Sequence, residues 1–159
     1  MNKAAVATFG RVMTHSFNPT ILREYDIRGI VGSTLHEADA YAIGRTYGSM
    51  ARDEGVTRVA VGRDGRTHSP QMQDALIRGL TESGIDVVRV GLGPSTMLYF
   101  ATYALDVGGG IQITGSHNPA DYNGFKMLLA GRSVFGAEIK EIGRRAAAGE
   151  WHSGEGQVS

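Results

Sequence analysis

Val107-Gly108-Gly109-Gly110-Ile111-Gln112-Ile113-Thr114-Gly115-Ser116-His117-Asn118-Pro119, continued by Ala120-Asp121-Tyr122-Asn123-Gly124, is the stretch on which the fold turns. Its apolar, β-branched first half reads as a buried strand. The run stops at a Gly-Ser turn, and Asn118-Pro119 imposes extended geometry just beyond it. Ser116 is thereby raised on a tight loop at the carboxyl end of a strand, where ligands gather in α/β sheets. His117 and Asn118 stand beside it and Lys126 follows ten residues on. Such groups deliver charge and protons to a phosphate-like or acyl-like centre. An isolated Gly-Ser-His is ordinarily a turn with a solvated histidine. Six residues in this order behind an apolar strand favour chemistry, although spacing alone does not select the reaction.

Gly124-Phe125-Lys126-Met127-Leu128-Leu129 follows too closely for a crossover, so it is expected to pair antiparallel as a hairpin, returning Lys126 towards the Ser116 loop. A helix is predicted over 137–148, burying Ile139 and Ile142. Upstream, Arg58–Gly62 and Ile85–Val90 read as strands. Thr34-Leu35-His36-Glu37 reads as a capping box, the threonine bonding forward and the glutamate back. The helix behind it runs to about Arg52 with Ala40, Ile43, Tyr47 and Met50 inward. Ser69 is expected to cap a second helix with Pro70 in first position. Ser95 or Thr96 opens a third, reaching Leu105 and burying Met97, Ala101 and Leu105. Strands alternating with helices give an α/β fold with a mixed, mainly parallel sheet whose last strand is antiparallel.

Two other loops carry charge. In Leu22–Gly32, a short extended segment, Arg28 precedes a glycine and is placed either to meet a phosphate or carboxylate or to pair with Asp26 or Glu24. Arg63-Asp64-Gly65-Arg66-Thr67-His68 suits anion contacts or loop bracing, with bracing by Asp64 the commoner outcome for such a turn.

The chain has 159 residues, 42% hydrophobic and 20% charged, enough for one domain with a core. Sixteen basic residues balance sixteen acidic ones, so nothing electrostatic supports a nucleic-acid or membrane-surface role. The absence of cysteine excludes disulfides, thiolate nucleophiles and cysteine metal sites, and fits a reducing cytoplasm. No apolar run reaches transmembrane length. Residues 1–20 lack a clear period and read as a flexible lead-in. Lys3 and Arg11 give them a faint transit-peptide look without the amphipathic arginine pattern of one. Residues 150–159 read as a linker or frayed tail carrying the lone Trp151.

A serine on a glycine turn admits two reactions. A hydrolase nucleophile needs a base, an acid and an oxyanion hole. The G-x-S-x-G elbow is not met, because Thr114 and Asn118 occupy its glycine positions and a strand, not a helix, follows. A phosphoryl-carrying serine needs positive groups around the transferring phosphate, and Lys126, Arg28 and His117 suit it better.

Thr-Gly-Ser-His-Asn-Pro at 114–119, Glu-Tyr-Asp-Ile-Arg-Gly at 24–29 and Gly-Arg-Asp-Gly-Arg at 62–66 together resemble the α-D-phosphohexomutases, most of all the bacterial phosphomannomutase/phosphoglucomutase group. The resemblance covers Leu22 to Ala148 and implies the family's first domain only, a three-layer α/β/α unit assigned to residues 21–149. It implies that Ser116 carries a phosphoryl group between hexose 1-phosphate and 6-phosphate through a bisphosphate. Arg28 and Tyr25 would then line the site, His117 and Lys126 would move protons and stabilise charge, and Asn118 would shape the loop. Mg²⁺ is implied on the Ser116 phosphate, and glucose 1,6-bisphosphate as activator. The family often has serines where this chain has Thr67-His68. Its metal, sugar and terminal phosphate loops lie in domains with no counterpart here. The implied partners are a phosphohexose and those further domains, the chain alone being a very poor mutase that self-associates through its exposed domain interface. The rival reading is a non-catalytic module that binds a phosphate or a partner.

Overall fold

The computed structural model describes residues 13–159. Its elements are β1 (Ile27–Ile30), α1 (Glu37–Asp53), β2 (Arg58–Arg63), α2 (Ser69–Glu82), β3 (Asp86–Leu92), α3 (Ser95–Ala104), β4 (Gly109–Ile113), β5 (Tyr122–Leu129), β6 (Arg132–Ser133) and α4 (Ala137–Ala148). The strands form one sheet ordered β1-β5-β4-β2-β3, with β6 on the far half of β5. β2 pairs parallel with both β3 and β4. β5 closes the hairpin antiparallel on β4, and β1 and β6 are antiparallel to β5. The expected mixed α/β sheet is therefore present, with a parallel centre and an antiparallel flank. Helices cover both faces.

Alternation sets the layers. Val59, Val61, Ile111, Ile113, Phe125 and Met127 project into the main core with α1, α2 and α4. Ala60 projects the other way, against Leu98 and Ala101 of α3. α1 and α2 cross with their backbones touching: a Cβ on Gly44 would sit 2.2 Å from the Leu76 carbonyl oxygen, and one on Gly79 2.2 Å from that of Tyr41.

Two helix starts and the buried face of a third helix differ from the sequence reading. α1 begins at Glu37, and the carboxylate of Asp39, not Glu37, accepts the His36 N–H at 2.7 Å. Thr34 turns its hydroxyl back to the Ile30 N–H, closing the turn after β1. Ser69 is the first helical residue rather than the cap, because its hydroxyl is taken by Asp64 at 2.6 Å. In α3 the buried residues are Leu98 and Ala101, while Leu105 is 39% exposed. Ten residues, largely apolar all round, leave the inward face undecided by periodicity alone.

The two ends are also more ordered than expected. Residues 1–12 of the lead-in lie outside the described residues. Beyond them, His15 donates its backbone N–H to the Ala146 carbonyl at 2.9 Å, its ring meets Asp39 at 2.7 Å, and Phe17 is buried in the core. At the other end the frayed tail is replaced by a docked segment that ends in a single β-bridge to Val87. Trp151 donates its indole N–H to Thr46 Oγ1 at 2.8 Å. Val87 then donates to Gln157 and Ser159 to Val87, extending the sheet at the edge of β3. An open strand edge presents unpaired N–H and C=O groups, and the tail satisfies them. Among the described residues no helix is long and apolar enough to cross a membrane.

Candidate functional site

The β4–β5 hairpin stays paired up to Thr114, whose N–H donates to the Gly124 carbonyl at 2.9 Å. The chain then bends sharply. Ser116 takes φ 52°, a left-handed conformation costing a non-glycine residue about 1–2 kcal/mol. Its N–H donates to Thr114 Oγ1 at 2.9 Å, and Asn118 N–H donates to the Gly115 carbonyl at 3.0 Å. Ser116 and His117 are exposed at the apex.

Two residues of the β2–α2 loop hold this bend from beneath. Arg66 donates through Nη2 to the carbonyls of Ser116 (3.2 Å) and Asn118 (2.7 Å). Through Nη1 it donates to those of Pro119 and Tyr122. Its guanidinium lies flat against Gly115, where a Cβ would fall 2.0 Å from Nε. Asp64 Oδ2 accepts the Gly115 N–H at 2.9 Å and pairs with Arg66 Nε at 3.3 Å. Asp64 Oδ1 accepts from the Arg66 N–H and Ser69 Oγ. Burial pushes the Asp64 carboxyl up, but hydrogen bonds from Ser69, Gly115, Arg66 and Thr114 outweigh it and hold the group below its ordinary value. Asn123, fully buried, donates to Ser69 Oγ and to His68 Nδ1, both at 2.9 Å. That bond makes His68 Nδ1 the acceptor and leaves Nε2–H to reach the Ala120 carbonyl at 3.2 Å.

Arg28 enters from β1. It is 3% exposed, donating to Asn118 Oδ1 at 2.9 Å and to Asp26 Oδ2 at 2.8 Å. Its Nε is buried with no partner among the described residues. Burial lowers its pKa, Asp26 opposes this, and the positive fields of Arg23 and Arg66 add to the lowering. A buried cation with a spare donor and two like-charged neighbours is relieved by an anion. An open depression of about 500 Å³ flanks the loop, lined by Asp64, Gly65, Arg66, Thr67, Asn118 and Ala120. A second of about 450 Å³ lies at the other end of β4, around Val56, Gly108, Leu128 and Arg132, away from this chemistry.

Of the residues singled out from sequence, Arg28 bonds Asn118 directly, and Ser116 and His117 stand on the same loop. Lys126 sits on β5 opposite Gln112, half-buried and two residues inside the Thr114–Gly124 closure. Tyr25 is 77% exposed and stacks on Phe135, ring centroids 6.4 Å apart, rather than on the loop. Sequence reading missed Asn123 and His68, and it left open whether the arginines of the 63–68 loop bind anions or brace. Among the described residues no group of three or more His, Asp or Glu side chains converges on a metal-sized site. Ser116 would supply one oxygen where Mg²⁺ takes six ligands. The residues present therefore do not fit a resident Mg²⁺ by themselves.

A mixed sheet between two helical layers, presenting a serine on a braced loop near a buried arginine, defines an α/β/α domain. A family model described as Phosphoglucomutase/phosphomannomutase, alpha/beta/alpha domain I, matches residues 19–153. The chain belongs to this family. It is 50% identical over 127 residues to a phosphoglucomutase of Neisseria gonorrhoeae, covering 80% of this chain and 28% of that protein. It is 45% identical over 139 residues to a phosphomannomutase/phosphoglucomutase of Pseudomonas aeruginosa, covering 87% and 30%. A crystal structure of a phosphoglucomutase/phosphomannomutase family protein from Burkholderia thailandensis superposes with a TM-score of 0.87 at 41% identity, covering 90% of this chain and 33% of that one. The chain thus spans about a third or less of the length of these relatives.

Proposed function

We propose that this chain is the phosphoserine domain of a phosphohexomutase, with Ser116 Oγ as the phosphoryl carrier. The observation that carries the reading is the pairing of an exposed, left-handed Ser116 with Arg28, which reaches the same loop through Asn118 and keeps a buried, unpartnered Nε. In the forward step the Oγ–P bond of phospho-Ser116 breaks and a new P–O bond forms to a hydroxyl of the hexose monophosphate. That hydroxyl's proton passes to a base, for which His117 is the candidate. The departing Ser116 Oγ takes a proton from an acid, for which Lys126 is the candidate, and a hexose bisphosphate results. After the sugar reorients, Ser116 Oγ recovers the phosphoryl group from the other end, so that 1-phosphate and 6-phosphate interconvert. Arg28 and Lys126 supply positive charge to the transferring group, which needs electrostatic stabilisation more than covalent help. Tyr25 and Asn118 complete the substrate contacts. Any magnesium on the serine phosphate takes its other ligands from outside this chain, and the chain alone turns over very poorly. A cytoplasmic setting accompanies this reading.

Intact mass and peptide mapping before and after incubation with glucose 1,6-bisphosphate test it. One phosphate on Ser116 supports the carrier role. An unmodified Ser116 in both samples means that this chain does not carry phosphate by itself. Restored turnover on mixing with the remaining domains of a relative separates the mutase reading from a non-catalytic binding module.

A further inference from the structure

Arg66 has five N–H donors, and the four on its terminal nitrogens are hydrogen-bonded to backbone carbonyls inside the protein. Nη1 serves Pro119 and Tyr122, Nη2 serves Ser116 and Asn118, and Nε faces Asp64. Its charge is met by Asp64 at 3.3 Å. The terminal nitrogens have nothing left over for a ligand. The four carbonyls span residues 116–122, so one rigid fork fixes the apex and the return of the loop together. Asp64 fixes its entry through the Gly115 N–H, and the Thr114 hydroxyl accepts the Ser116 N–H.

We propose that Arg66 and Asp64 are positioning residues for Ser116: they hold its backbone in the left-handed bend, so that Oγ is presented in one orientation without either residue touching substrate. This rests on the reading of Ser116 as the phosphoryl carrier. A reacting oxygen displaced by a fraction of an ångström loses in-line alignment, and misplacement of about 1 Å can cost about 100-fold in rate. Lysine is a poor substitute, because three donors on a flexible stem cannot reproduce a planar fork of five.

The test compares wild-type protein with Arg66→Ala, Arg66→Lys and Asp64→Asn, following two readouts. The first is the rate of phosphate uptake at Ser116 from glucose 1,6-bisphosphate. Arg66→Ala is expected to be slower by about 100-fold, and Arg66→Lys to recover roughly a tenth of the wild-type rate. Millimolar guanidinium ion should raise the rate of Arg66→Ala several-fold, which a general folding defect would not allow. The second readout is amide exchange, expected to be about ten-fold faster or more at Gly115 and Asn118 with Ile111 and Ile113 unchanged. Wild-type uptake in Arg66→Ala, or full activity in Arg66→Lys, overturns the inference. If wild-type protein takes up no phosphate, the carrier reading of this chain fails instead, and unchanged protection of the loop amides then overturns the positioning role by itself. Should Arg66→Ala not fold, Arg66→Lys and Asp64→Asn carry both readouts.

Discussion

The guanidinium of Arg28 and the carboxamide of Asn118, ninety residues apart in sequence, meet at 2.9 Å. This one bond ties the edge strand β1 to the serine loop. Arg28 is buried, with Asp26 as its other partner and Nε already unsatisfied. Asn118→Ala would leave a second donor of a buried cation without an acceptor, a loss of about 1–3 kcal/mol. Urea unfolding of the two proteins measures it. A midpoint unchanged in Asn118→Ala would show that water replaces the carboxamide freely.

Asp64 makes the stability of the loop pH-dependent. Its donors outweigh burial and depress its folded-state pKa below the unfolded value. A depressed carboxyl contributes stability that is present above the unfolded pKa, about 3.9, and is lost as pH falls through the folded value. The stability difference between wild type and Asp64→Asn should therefore be largest near neutrality and shrink below about pH 4. Chemical denaturation from pH 3 to 7 checks the sign. A difference growing towards acid would mean that the group is not depressed.

The close crossing of α1 and α2 depends on two glycines. Gly79→Ala places a methyl 2.2 Å from the Tyr41 carbonyl oxygen. A rigid backbone group cannot swing away like a side chain, so the helices must separate, costing about 3 kcal/mol or more. Gly55→Ala, where φ is +77° but no atom lies within 4 Å, is the control. It should cost only about 1–2 kcal/mol for the strained conformation.

Trp151 reports on the docked tail. It bonds Thr46, and the Arg45 guanidinium lies 5.1 Å from its ring centroid. As the single tryptophan of the chain, it gives a fluorescence transition expected to coincide with loss of helix by circular dichroism. Trp151→Ala should destabilise the protein by about 2 kcal/mol. A fluorescence change well before the global transition would mean that the tail opens independently.

The strand–helix alternation, the β4–β5 hairpin and the exposed serine were all legible in the chain, because each follows from a local pattern: a two-residue or 3.6-residue apolar period, a connection too short for a crossover, a glycine followed by a polar turn. So was the family resemblance, carried by three short motifs. The capping of α1 was misread by two residues because Thr34, Glu37 and Asp39 are all competent caps, and tertiary contacts chose among them. His15 reaches Asp39 from another part of the chain, while Thr34 is held by the turn after β1. Tertiary structure alone decided that Arg66 bonds the backbone of the serine loop, that His68 and Asn123 join the brace, and that residues 151–156 dock on α1 and α2 while 157–159 pair with β3. The physical reason is common to all three. The partners are mostly backbone carbonyls and amides, which every residue carries alike and which therefore leave no trace in the sequence until the fold brings them into place.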